Sequence, residues 1–124
     1  MKRVLAALFT VMLAVTLLLG GAVTGEAAQN LPQITVVNKT GYTFYYLYVS
    51  PTASEVWGRD VLGSGVLRSG YEMVVTLPYP INVTNTYDIK AVDVDGDSYT
   101  KWNVTVRPNS RIEFVFADID PRRQ

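Results

Sequence analysis

Apolar and polar positions alternate most clearly on either side of Asp95-Gly96. Tyr87–Val106 reads YDIKAVDVDGDSYTKWNVTV. Two runs rich in β-branched and aromatic residues flank an Asp-Gly pair, the strongest short signal for a β-hairpin. A two-residue turn there predicts Tyr87 opposite Val104, Ile89 opposite Trp102 and Ala91 opposite Thr100. That register gathers the apolar residues on one face and leaves Asp88, Lys90, Lys101 and Asn103 on the other. A slip of one position would exchange the faces.

Other strand signals surround this hairpin. Gln33–Asn38 is a short strand, followed by a turn at Lys39-Thr40-Gly41. Tyr42–Ser50 (YTFYYLYVS) is the most β-prone run and is apolar on both faces. That pattern predicts either a central strand covered on both sides or one with an exposed aromatic face. Thr52–Ser69 is interrupted by Gly58, Gly63 and Gly65. Val61, Leu62, Val66 and Leu67 are too apolar for a free loop, so the segment is expected to pack onto the sheets. Tyr71–Leu77 and Arg111–Ala117 complete the set. If the last run pairs antiparallel with the strand before it, Ile112 meets Val106, Phe114 meets Val104 and Phe116 meets Trp102. Short strands with frequent turns imply an all-β fold, a single antiparallel β-sandwich of about six to seven strands. A small closed β-barrel is the alternative.

The start of the chain changes the picture. Lys2 and Arg3 precede an apolar run, Val4–Leu19, and then mostly small residues up to Ala28. This reads as a signal peptide over residues 1–27, with cleavage after Ala27 and a β-sandwich domain over 28–124. The run is short for a bilayer span, so no membrane association is expected after cleavage. Without Lys2, Arg3 and Glu26, the eleven basic and eleven acidic residues become nine and ten. No basic patch stands out, which argues against a nucleic-acid partner. The chain has no cysteine, so a secreted or periplasmic domain must rest on its core rather than on disulfides.

Five motifs occur together: N-x-T-G-Y at Asn38–Tyr42, Y-V-S-P at Tyr48–Pro51, W-G-x-D-x-L-G at Trp57–Gly63, Y-D-I-K at Tyr87–Lys90 and D-x-D-G-D-x-Y at Asp93–Tyr99. The combination resembles a group of small exported bacterial domains with no assigned function. The resemblance spans nearly all of the mature chain. It implies an exported β-sandwich and no catalytic residues.

Histidine is absent along with cysteine, which removes Ser-His-Asp and Cys-His nucleophile systems and the usual zinc ligands. Two groups remain as candidate sites. Asp93, Asp95 and Asp97 crowd the hairpin tip, and Asp118 and Asp120 are expected at the same end, opposite Thr100 and Ser98. They are either a solvated turn or a Ca²⁺ site, because hard cations take carboxylate oxygens. Trp57, Arg59 and Asp60 form the second group: a loop plug beside a surface ion pair, or a stacking ring with polar selectors. The tyrosines Tyr42, Tyr45, Tyr46 and Tyr48 offer a further aromatic surface, half of it expected in the core. The reading that follows is an exported cell-envelope binding or structural module without catalytic activity, with an envelope protein or carbohydrate as partner. A Ca²⁺-stabilised carbohydrate-binding module and a small carboxylate-dependent hydrolase are the alternatives.

Overall fold

The computed structural model describes residues 31–122; the segment expected to be a signal peptide lies outside them. Six strands form two three-stranded sheets packed as a β-sandwich: β1 (Gln33–Lys39), β2 (Phe44–Pro51), β3 (Glu72–Thr76), β4 (Thr86–Asp93), β5 (Ser98–Thr105) and β6 (Arg111–Val115). One sheet has the order β3-β1-β6 and the other β2-β4-β5. The core lies between them. Ile34, Val36, Val75, Ile112 and Phe114 face Phe44, Leu47, Ile89, Ala91 and Tyr99, all buried. Phe44 joins the layers: its ring centroid is 5.5 Å from Tyr99 and 5.6 Å, edge-on, from Phe114, a favoured geometry for aromatic pairs.

The hairpin forms, but its turn has three residues rather than two. The Gly96 N–H donates to the Asp93 carbonyl at 3.0 Å, and the Asp93 N–H to the Asp97 carbonyl at 2.8 Å. Gly96 takes φ +82°, the left-handed residue that such a loop needs at its end. The extra residue moves the register by one. Ala91 therefore meets Tyr99 and Ile89 meets Lys101, while Tyr87 still meets Val104 because a bulge between them restores the count. Asn103 sits in that bulge at φ +55°. The expected faces are thus exchanged over the middle of β5. Tyr99 goes to the core, Lys101 lies with its ammonium 5.4 Å from the Phe114 ring centroid, and Trp102 turns outward.

The last strand also departs from expectation. Instead of extending the hairpin sheet, β6 crosses to the other sheet and pairs in parallel with β1, Val36 opposite Ile112 and Asn38 opposite Phe114. The turn is held by the Asn109 N–H on the Gln33 carbonyl at 2.7 Å. Ile112 and Phe114 still reach the core, and Phe116 stays exposed against Tyr42 at 5.9 Å. After a short 3₁₀ turn, Phe116–Asp118, the chain returns to β5 at one bridge, Tyr99 with Ile119.

β2 is an edge strand, not a central one, and the 52–69 segment covers its free edge. The Phe44 and Leu67 main chains exchange hydrogen bonds at 2.8 and 3.0 Å, and the Val61 N–H reaches the Leu47 carbonyl at 2.8 Å. An edge paired in this way is closed to further strands. The outer face of the β3-β1-β6 sheet carries an ion-paired row: Arg111 bridges Glu72 at 2.9 Å and Glu113 at 3.3 Å, and Lys39 joins Glu113 at 3.4 Å.

Candidate functional site

The other outer face is aromatic. A register irregularity between Phe44 and Tyr46 lets Phe44 and Leu47 both point inward and leaves Tyr45 exposed between them. No tyrosine of the Tyr42–Tyr48 run enters the core, contrary to the expected half. Tyr46 lies opposite Val92 and Tyr48 opposite Lys90 on β4, which in turn faces Thr100 on β5. Opposed residues share a face, so these side chains and Trp102 form one surface.

Trp57, from the covering loop, lies across it. Its ring centroid is 6.4 Å from Tyr48 and 5.6 Å from Trp102, tilted by 48° and 47°. The Lys90 ammonium stands 5.7 Å from the same ring, within cation–π range. Trp57 is half-buried on the sheet rather than plugged into the core. Trp102 is 64% exposed and Tyr46 47%. Sequence reasoning placed Trp102 in the core and passed over Lys90. The only signal for Trp102 is Asn103, a residue that tolerates the left-handed bulge conformation.

Buried acceptors fix this surface. Asp88 is 8% exposed, and its Oδ1 accepts from the Thr52 hydroxyl at 2.9 Å and the Asn103 N–H at 2.8 Å. Asp60 Oδ1 accepts from the Leu47 N–H at 2.9 Å and the Leu62 N–H at 3.0 Å. Asp60 is therefore the tie between loop and β2. It forms no ion pair with Arg59, which is exposed and has no partner among the described residues. Asn38 plays the same part at the other end of the loop. It is fully buried, its amide donates to the Tyr42 and Leu67 carbonyls at 2.7 and 2.8 Å, and its Oδ1 accepts from Thr40.

Trp57 also borders a cleft of about 400 Å³ at the open side of the sandwich. Val49 and Pro51 of β2 form one wall, and Val75 and Thr76 of β3, with Leu77, Pro78 and Tyr79 after them, form the other. Trp57, Gly58, Arg59 and Val61 close it. Among the described residues Arg59 is the only charged one in the lining.

The acidic end does not assemble as a coordination sphere. Asp93 is buried, and its Oδ1 accepts from the Asp95 and Asp97 N–H groups at 2.9 and 3.0 Å. Its Oδ2 accepts from the Tyr99 hydroxyl at 2.8 Å. Burial first, then this carboxylate, push the Tyr99 phenol upward. Asp97 makes a bidentate pair with Arg122 at 2.7 and 2.8 Å, whose hydrogen bonds hold its carboxyl below the ordinary value. Asp118 pairs with Lys101 at 3.3 Å. Asp120 does arrive opposite Ser98, and takes hydrogen bonds from the Ser98 and Thr100 hydroxyls at 2.7 and 2.6 Å. Asp95 is exposed. Four of the five carboxylates thus have separate protein partners, and among the described residues no three acidic groups are placed to hold one ion.

No family model and no curated protein matches this chain. An NMR structure of a protein from Eubacterium rectale is similar in fold: it superposes over 73% of this chain and 84% of its own with a TM-score of 0.51, at 13% sequence identity. At that identity the likeness concerns the fold alone.

Proposed function

We propose that this domain is a non-catalytic binding module exported to the cell envelope, secreted or periplasmic, and that it takes carbohydrate on the Trp57–Trp102 face. The observation that carries this reading is the exposure of Trp102 in direct contact with Trp57, beside Tyr48 and Lys90. A large aromatic turned into water by a bulge forgoes burial, and a contiguous cluster of such rings marks an interaction surface. Rings stack on the apolar faces of sugars, while Lys90 and the tyrosine hydroxyls supply hydrogen bonds to their edges. The opposite outer face, neutralised by its own ion pairs, offers no such surface. The commitment of Asp60, Asp88 and Asp93 to main-chain donors supports a role without acid–base catalysis. Among the described residues no helix is long and apolar enough to cross a membrane.

Titration with soluble envelope oligosaccharides, followed by tryptophan fluorescence, tests the proposal. A saturable change that Trp102→Ala weakens at least tenfold, with the fold retained, is the expected result. No response to any glycan, together with a protein adduct from a photo-crosslinker placed at position 102, would replace the sugar by an envelope protein.

A further inference from the structure

We infer that the cleft beside Trp57 is a second binding site, for a small amphipathic anion: an apolar body with a carboxylate or similar head. This goes beyond the carbohydrate reading and does not depend on it. Three observations carry the inference. The lining is apolar on both sheets, with Val49, Val61, Val75 and Leu77 among its residues. At about 400 Å³ the space is within the range of small-molecule pockets, which run from about 300 to 1,000 Å³. The single charge is the Arg59 guanidinium, exposed and unpartnered among the described residues. An apolar cleft with one unneutralised cation selects an apolar ligand ending in an anion, because a guanidinium binds a carboxylate in bidentate fashion.

The main chain on either side of Arg59 is held in place before any ligand arrives. Trp57, two positions earlier, packs on the sheet. Gly58 turns the chain at φ +81°, and Asp60 is tied to Leu47. The loop therefore loses little freedom on binding.

Calorimetric titration of the exported chain with decanoate and with decyltrimethylammonium, each below its micelle concentration, tests this directly. The two probes share a chain length and differ in the sign of the head. Saturable decanoate binding, at least tenfold tighter than the cation, is expected. Arg59→Gln should remove most of that preference, and Arg59→Glu should reverse it. Val61→Trp should block both probes by filling the cleft. Trp102→Phe keeps a ring against Trp57 and should leave decanoate binding unchanged, whereas Arg59→Gln should leave glycan binding unchanged, so the two sites fail separately. Equal binding of both heads, indifference to Arg59→Glu, or no saturable binding would overturn the inference.

Discussion

The Asn103 main-chain N–H donates to Asp88 Oδ1 at 2.8 Å, across the bulge that turns Trp102 out of the core. Asp88 thereby sets which face of β5 each neighbour occupies. Asp88→Ala leaves this N–H and the Thr52 hydroxyl, both part-buried, without their acceptor, which should cost about 1 kcal/mol. The two tryptophans are the only ones in the chain, and at 5.6 Å their transitions couple. Circular dichroism should show an exciton band that Trp57→Phe and Trp102→Phe abolish equally. Asp88→Ala should weaken it; an unchanged band would detach the bulge from Asp88.

Lys101 and Trp102 have exchanged the roles that simple alternation assigns them. Trp102→Ala removes an exposed ring and one aromatic contact, and should cost about 1 kcal/mol or less. Lys101→Ala removes a half-buried stem, a cation–π contact and the pair with Asp118, worth together about 1–2 kcal/mol. Urea melts should rank Lys101→Ala as the more damaging. The opposite ranking would restore Trp102 to the core.

The hairpin tip should behave as a self-contained hydrogen-bonded turn. Asp93→Ala leaves two N–H groups and the buried Tyr99 hydroxyl without their acceptor, at roughly 2–4 kcal/mol. Asp95→Ala should stay within about 0.5 kcal/mol. Because the carboxylates have separate partners, several millimolar Ca²⁺ should move the melting temperature no more than Mg²⁺ does. A Ca²⁺-specific rise, lost in Asp93→Asn with Asp118→Asn, would show an ion gathering these groups.

Alkali should weaken the domain through its tyrosines. Burial, then the nearby Tyr79 phenol, push the Tyr87 phenol up to about 12. Its hydroxyl has no partner in ordinary hydrogen-bond geometry, although the Tyr79 main chain lies close enough to offset part of the rise. The folded state keeps this proton where the unfolded state has lost it. The contribution is therefore complete below pH 10 and falls as pH rises towards 12, by roughly 2 kcal/mol for Tyr87. Tyr99 shifts in the same direction. Tyr87→Phe should flatten the decline between pH 10 and 12 in denaturant melts.

N-terminal sequencing of the exported protein should begin at Ala28, where the apolar run has ended and small residues precede the cut. Recovery of Met1 in a membrane fraction would identify an anchor instead.

The strands were legible because β-branched and aromatic runs between turn residues have few other outcomes. Each expected strand exists within a few residues of its bounds. What alternation could not supply was the count through irregular positions. Asp-Gly favours a two-residue turn by its backbone preference. Here Asp93 lies just before it, and its carboxylate satisfies the N–H groups of a longer loop. Tyr45 and Asn103 each add one residue to a strand and reverse the faces beyond it. The pairing of β6 depended on partners far away in sequence, which no local pattern encodes. The residues Asn38, Asp60, Asp88 and Asp93 were visible as letters of the motifs, and their shared task of accepting main-chain N–H groups or bracing turns emerged only from the geometry.

The parallel pairing of β1 with β6 makes completion the final event in this domain's assembly. β2, β4 and β5 are joined antiparallel, and their hairpin can form as soon as residue 105 is available. β1 has only β3 until Arg111–Val115 is delivered, and Phe114, which packs against Phe44, comes with that strand. Contacts of such sequence separation form slowly. A chain emerging piecemeal, from a ribosome or through a narrow channel, therefore remains unfinished and pliable until almost its whole length has passed. Loss of the last fifteen residues should then cost the molecule its closure, while trimming before Leu31 should leave it able to fold.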